Sequence, residues 1–176
     1  MIILLVFLFL LSFGLLFWQA SNLMSVFFGS PYVMAKPKTI MQALKLAKLK
    51  KGEVLYDLGC GNGQVLIEAA KMGAKAVGFE ISPFYYWWVR IRTFGYPDIS
   101  VRFQNIKTID LKKADVVYCY LLPGFLEELS AKFQKELKTS CRLISIGFPI
   151  RKLKLTEEVL FGAHKIYIYS LSSRSN

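Results

Sequence analysis

The sequence predicts an α/β protein: a doubly wound, mostly parallel sheet with helices on both faces, preceded by one N-terminal transmembrane helix. Three observations carry this. Apolar runs of strand length alternate with stretches of helical periodicity from residue 37 onward. A turn with three alternating glycines joins the first such run to the helix after it. No residue from 2 to 35 carries a side-chain charge, so all the charge lies downstream of an apolar start.

A chain of 176 residues has room for one ordinary domain and a short appendage. Residues 1–20 read as the anchor, 21–36 as an apolar linker and 37–176 as the domain. From Ile2 to Trp18 only Ser12 and Gly14 interrupt Ile, Leu, Val and Phe, close to the roughly 20 apolar residues that a spanning helix needs. A cleaved signal peptide would want Lys or Arg ahead of the apolar run and small residues before the cut. Neither is present, so an uncleaved single-pass anchor is expected.

Lys36, Lys38, Lys45, Lys48, Lys50 and Lys51 all follow the anchor and no charged side chain precedes it, which places the domain on the cytosolic side of the membrane. The net charge of +11 suits an anionic lipid surface, at about 1 kcal/mol per basic residue near it. A solvated basic face or nucleic acid would suit the charge as well, and charge alone does not decide among them. Cys60, Cys119 and Cys141 are widely spaced in apolar stretches and read as packing thiols in a reducing compartment. With His164 the only imidazole and no paired-Cys spacing, no metal is expected.

In residues 19–36, Ser21, Asn22, Gly29, Ser30 and Pro31 should break helical continuity more than once. Pro37 then opens a helix that sets Ile40, Ala43, Leu44 and Ala47 on one face, and Gly52 follows its end. Val54–Leu58 reads as a buried strand, 63–72 as a helix capped by Gly73, and 76–80 as a second strand. Strand, helix and strand within about 30 residues make a parallel unit. The alternation continues with a helix over 83–94, strands at 99–103 and 116–122, a helix with Leu126, Leu129, Phe133 and Leu137 as its buried stripe, and strands at 142–148 and 166–171. The basic-then-acidic interval 149–162 has no assignable element.

The informative stretch is Tyr56-Asp57-Leu58-Gly59-Cys60-Gly61-Asn62-Gly63. Gly59 lets the strand end sharply, Gly61 lets a ligand approach the backbone, and Gly63 lets the helix start close to the sheet. Ligands of open parallel sheets bind beyond the carboxyl ends of the strands, where this turn lies. The dinucleotide pattern requires a further glycine where Gln64 stands, which disfavours a hydride enzyme. Glu80 ends the second strand at the distance where a carboxylate accepts hydrogen bonds from ribose hydroxyls. Together the turn and the carboxylate point to an adenosine cofactor.

Asp57, Gly59, Gly61 and Gly63 match position by position the signature of the class I S-adenosylmethionine-dependent methyltransferases, which the chain therefore resembles. The resemblance implies a Rossmann-like methyltransferase sheet and S-adenosylmethionine as cofactor. It further implies that the glycine turn meets the amino-acid part of the cofactor, that Glu80 holds its ribose and that Asn105 contacts its adenine. A narrower likeness rests on Pro31-Tyr32-Val33, Glu80-Ile81-Ser82-Pro83, Tyr120-Leu121-Leu122-Pro123 and Lys135-Glu136-Leu137. With these the chain is similar to the membrane-anchored lysine methyltransferases of the ATP synthase c subunit and the adenine nucleotide translocase. That likeness implies a lysine of a membrane or membrane-proximal protein as acceptor, and no nucleic-acid partner.

Methyl transfer from a sulfonium is an in-line displacement that depends on alignment and exclusion of water more than on a strong acid or base. Tyr118, Tyr120 and Pro123 follow the fourth strand, and Tyr32 reaches over from the linker; Tyr120 and Tyr32 are the candidate catalytic residues. Tyrosines at such places also serve as sheet-face residues. No Asn/Asp-Pro-Pro-aromatic run stands there, which argues against amide and adenine-amine methyltransferases. Phe84, Tyr85, Tyr86, Trp87 and Trp88 read either as packing over the cofactor or as a membrane-interface belt. The alternatives to a lysine methyltransferase are an enzyme for a lipid, quinone or other apolar small molecule, and a non-catalytic cofactor-binding module.

Overall fold

The computed structural model describes residues 1–27 and 35–171, the side chains of 22 and 25–27 excepted. The Pro31-Tyr32-Val33 segment and the candidate Tyr32 thus lie outside the described residues. The first helix, α1, covers Ile2–Phe27 and so runs through Ser21 and Asn22, where the sequence suggests a break. Ser21 does not compete for its own backbone because its hydroxyl has tertiary partners: it accepts from the Phe84 N–H at 3.0 Å and shares a hydrogen bond with Ser82.

The helices α2 (Pro37–Leu46), α3 (Gln64–Lys71), α4 (Pro83–Arg92) and α5 (Pro123–Glu136) alternate with strands β1 (Val54–Leu58), β2 (Lys75–Glu80), β3 (Ile99–Phe103), β4 (Val116–Cys119) and β5 (Arg142–Ile146). Three of these helices open on proline after an extended residue, a placement in which the missing N–H costs nothing. Two more strands, β6 (Leu155–Phe161) and β7 (His164–Ser170), complete a seven-stranded sheet of order β3-β2-β1-β4-β5-β7-β6. β1 to β5 pair in parallel; β7 joins β5 antiparallel and β6 joins β7 antiparallel. The interval left unassigned from sequence therefore supplies an edge strand, closed onto β7 through Gly162 at φ +61°.

Each face of the sheet carries its own core. Leu55, Ala76, Val116, Ile144 and Ile168 lie under α2 and α3, and Tyr56, Phe79, Val117, Leu143 and Tyr169 lie under the stripe of α5. That division is what strand periodicity of two demands of a sheet covered on both sides. Phe133 of α5 is fully buried, and Phe133→Ala is expected to cost about 3–5 kcal/mol through lost transfer energy and the cavity left behind. Denaturant unfolding reads that loss; a cost below about 1 kcal/mol would mean that α5 is not packed as described. Gly78 sits where a Cβ would lie 2.7 Å from both Cys60 Sγ and Leu66 Cδ1, so the bare backbone of β2 lets the glycine turn and α3 close onto the sheet.

Candidate active site

The turn after β1 bends through three left-handed glycines, Gly59 at φ +79°, Gly61 at +50° and Gly63 at +76°, conformations that residues with a Cβ rarely adopt. Its backbone is held from three sides. The N–H groups of Gly59 and Cys60 both donate to the Phe79 carbonyl at 3.0 Å, and Gly63 N–H donates to the Cys60 carbonyl at 2.8 Å. Asn62 Oδ1 accepts from Gln64 N–H at 3.1 Å. From α4, Arg92 donates to the Asn62 carbonyl at 2.9 Å and to the Gln64 side chain. A Cβ on Gly63 would lie 2.3 Å from Val89 Cγ2, so α4 touches the turn directly.

Glu80 closes the other side. Its Oε2 accepts from Gly61 N–H at 2.9 Å, and its Oε1 accepts from Ile81 N–H at 2.9 Å and Ser82 N–H at 2.8 Å. Three of a carboxylate's roughly four lone-pair sites are thereby used. About one is left for a ligand hydroxyl. Burial raises the Glu80 pKa, and the N–H groups of Ser82, Gly61 and Ile81 oppose that rise. Asp57 is buried on β1, and burial first, then the charge of Glu80, pushes its pKa well up. Among the described residues its Oδ2 has no hydrogen-bond partner. On the adjacent strand Tyr118, its register neighbour, is likewise buried with an unpartnered hydroxyl.

Two buried acids with raised pKa values make the folded state bind protons more tightly than the unfolded chain. Their contribution is fully present below the unfolded carboxylate pKa near about 4 and is lost as pH rises through the higher folded values. Without ligand, the protein should therefore lose stability relative to Asp57→Asn as pH climbs from about 4 toward neutrality. Thermal unfolding of both proteins across that range checks the sign; a wild type that gains stability relative to Asp57→Asn as pH rises would contradict it.

The carboxyl ends of β4 and β5 form the other part of the site. Tyr120, just past β4, is half-buried, its ring edge-on to His164 at 5.8 Å between centroids. A Cβ on Gly147 would lie 3.1 Å from the Tyr120 ring. Burial raises the Tyr120 pKa. Beside it in the fold, Pro123, Gly124, Glu127, Phe148, Pro149 and Arg151 line a cleft of about 290 Å³. Glu127 Oε1 accepts from Arg151 N–H at 2.7 Å.

The structure thus brings Asp57, Gly59, Gly61, Gly63 and Glu80 to one turn, with Tyr120 at the same sheet edge beyond β4. Asn105 lies in the loop after β3, its Oδ1 already accepting from Lys107 N–H at 2.9 Å. Sequence reasoning does not find Arg92, Val89, Glu127 or Phe148. For Arg92 a signal exists, since a helix immediately after a ribose-type carboxylate must pack against the turn; for the cleft residues none does.

The family model described as the ANTKMT methyltransferase domain matches residues 57–157, from the first acid of the turn to the start of β6. The chain belongs to this family. It is an S-adenosylmethionine-dependent methyltransferase. A protein-lysine N-methyltransferase of Saccharolobus islandicus is 34% identical over 148 residues, 79% of this chain and 92% of that protein. The human lysine N-methyltransferase named for the c subunit of ATP synthase is 29% identical over 68% of this chain; the chain spans 52% of that relative's length. Among solved structures, an RNA methyltransferase from Salinibacter ruber in complex with S-adenosyl-L-homocysteine superposes with a TM-score of 0.78 at 26% identity, covering 82% of this chain and 97% of that one.

The residues present fit the cofactor of this family. S-adenosylmethionine carries a sulfonium and an ammonium, and the unpartnered Asp57 oxygen beside Glu80 forms a buried, electronegative corner that a cation relieves. The remaining acceptor site on Glu80 suits one ribose hydroxyl.

Proposed function

We propose that this methyltransferase acts on lysine side chains of a membrane or membrane-proximal protein, with α1 as a single-pass anchor and the domain on the cytosolic side. The observation that carries the reading is the junction of α1 with the site. Residues Ile2–Ser21 are long and apolar enough to cross a membrane, and all of them before Ser21 are exposed. Where that span ends, Ser21 bonds Ser82 and Phe84, two and four residues past Glu80. An anchor tied there keeps the cofactor turn near the bilayer. The lysine activity for which the relatives are named supports the acceptor class, and the basic residues after α1 suit an anionic surface.

In this reading Gly59, Gly61 and Gly63 let the cofactor's amino-acid part approach the backbone, Asp57 faces its positive charge, Glu80 accepts a ribose hydroxyl and Asn105 borders the adenine. When bound, S-adenosylmethionine supplies an electrophilic methyl group. An acceptor lysine, with an ordinary pKa near about 10.4, must arrive as the neutral amine or lose its proton on the way in. Tyr120, its pKa raised by burial, is a neutral phenol near neutral pH, so it orients the amine and does not serve as a phenolate base. Tyr32 has the same positioning role from the linker, and Glu127 draws the lysine ammonium into the cleft.

Membranes incubated with the full chain and radiolabelled S-adenosylmethionine should yield labelled protein. Label confined to the lipid extract would replace a lysine acceptor with a lipid or quinone.

A further inference from the structure

The outer face of α4 is unlike the surface of a water-exposed helix. Trp87 and Trp88 are more than half exposed, and Ile91 and Phe94 are 71% and 89% exposed. Trp87 and Ile91, four residues apart, share one face of α4, with Trp88 three residues before Ile91, and Phe94 follows in the turn just past the helix end. Large apolar side chains gathered this way mark an interaction surface. Between residues 81 and 97 there is no acidic side chain, whereas Arg90 and Arg92 are both there. Arg90 lies over the rings of Tyr86 and Trp87, at 5.6 and 5.4 Å from their centroids.

The position of this face selects its occupant. α4 begins at the residues that hold the end of α1: Phe84 N–H donates to Ser21 at 3.0 Å and Ser82 bonds the same hydroxyl. A span of 20 residues rises about 30 Å, the thickness of a bilayer's hydrocarbon core. The start of α4 is therefore at the level where the span leaves that core. Trp, Tyr and Arg are the side chains that collect at this depth, with apolar bodies inward and polar tips among headgroups.

We infer that α4 is a second membrane contact, with Trp87, Trp88, Ile91 and Phe94 seated in the headgroup layer of an anionic bilayer and Arg90 on its phosphates. This rests on the reading of α1 as a membrane span. It goes beyond that reading because it fixes how the domain is turned. The face of α4 opposite Trp87 and Ile91 carries Val89 against Gly63, and Arg92 of the same helix holds the Asn62 carbonyl. The cofactor turn is then one helix diameter from the lipid surface, and the domain cannot swing freely about its anchor.

The test uses the full chain in proteoliposomes of phosphatidylcholine and anionic phosphatidylglycerol, with lipids brominated high on their acyl chains as tryptophan quenchers. Trp18→Phe leaves only Trp87 and Trp88 to report on α4; the pair Trp87→Phe and Trp88→Phe leaves only Trp18 to report on the anchor. The expected result is loss of emission in both proteins, with the α4 signal regained when exposed Ile91 and Phe94 are changed to Glu. If Trp18 is quenched and Trp87 and Trp88 are not, the anchor stands and α4 is not a lipid contact. Emission from Trp87 and Trp88 that responds to an added membrane protein and not to brominated lipid would assign the face to a protein partner and overturn the inference. If neither reporter is quenched, α1 is not a span and the inference falls with it. Methyl transfer to lysine is read separately, so none of these outcomes depends on it.

Discussion

Replacing Glu80 with Gln is expected to weaken S-adenosylmethionine binding by roughly 10- to 100-fold, equivalent to about 1.5–3 kcal/mol for a hydrogen bond to a charged group. The expectation comes from how fully this carboxylate is used. Both oxygens accept backbone N–H groups, from Gly61 on one side and from Ile81 and Ser82 on the other. A Gln amide has one oxygen and one NH2, so whichever way it turns, a donor meets a donor. Either the turn at Gly61 or the start of α4 must shift, and the acceptor for the ribose hydroxyl is lost with it. Isothermal titration of wild type and variant with the cofactor reads the change. Equal affinities would mean that the cofactor does not lie against Glu80.

A large effect on stability is also expected at Gly63. An alanine there would carry a Cβ 2.3 Å from Val89 Cγ2 on a backbone at φ +76°. Left-handed strain of about 1–2 kcal/mol and overpacking of about 1–3 kcal/mol together give about 2–5 kcal/mol. The two causes separate in a double-mutant cycle. Val89→Ala removes the clash and leaves the strain, so Gly63→Ala combined with Val89→Ala should be less destabilised than the sum of the two single changes. Strict additivity in denaturant unfolding would show that α4 does not rest on the turn.

The parts of the fold and site that could be read from sequence are those where one physical requirement dominates. A strand buried on both faces has to be mostly apolar, so Val54–Leu58, with Asp57 its one charged residue, and the run through Val116–Cys119 announce themselves. The glycine turn is legible because a ligand-bearing turn needs positive φ at fixed places, and Glu80 is legible because it ends an apolar strand. β6 is not legible. As a solvated edge strand it exposes Thr156, Glu157 and Glu158, with Glu158 paired to Lys165 at 2.7 Å on β7, so burial does not impose an alternating pattern on it. Charge on an edge also discourages pairing with other chains.

The helix α1 passes through Ser21 and Asn22 for a similar reason. Polar residues stop a helix when their side chains have only local backbone to bond, and Ser21 has Ser82 and Phe84 in its place, 61 and 63 residues away in the chain. No local pattern contains that information. The same holds for the cleft at Glu127 and Phe148, which exists only because β4 and β5 end side by side. The junction of α1 with α4 is the feature that the structure adds most clearly, because it ties the long apolar helix α1 to the glycine turn through Ser21, Ser82 and Phe84.

The proposed activity is methylation of lysine in proteins at a membrane. Membranes incubated with the full chain and S-adenosylmethionine carrying a deuterated methyl group, followed by peptide mass spectrometry, test it most directly. Deuterated methyl groups mapped to lysine side chains of membrane proteins, and diminished with Glu80→Gln at limiting cofactor, are the predicted result. Deuterated methyl groups found on other side chains, or in lipids and small molecules with every lysine unlabelled, would contradict it.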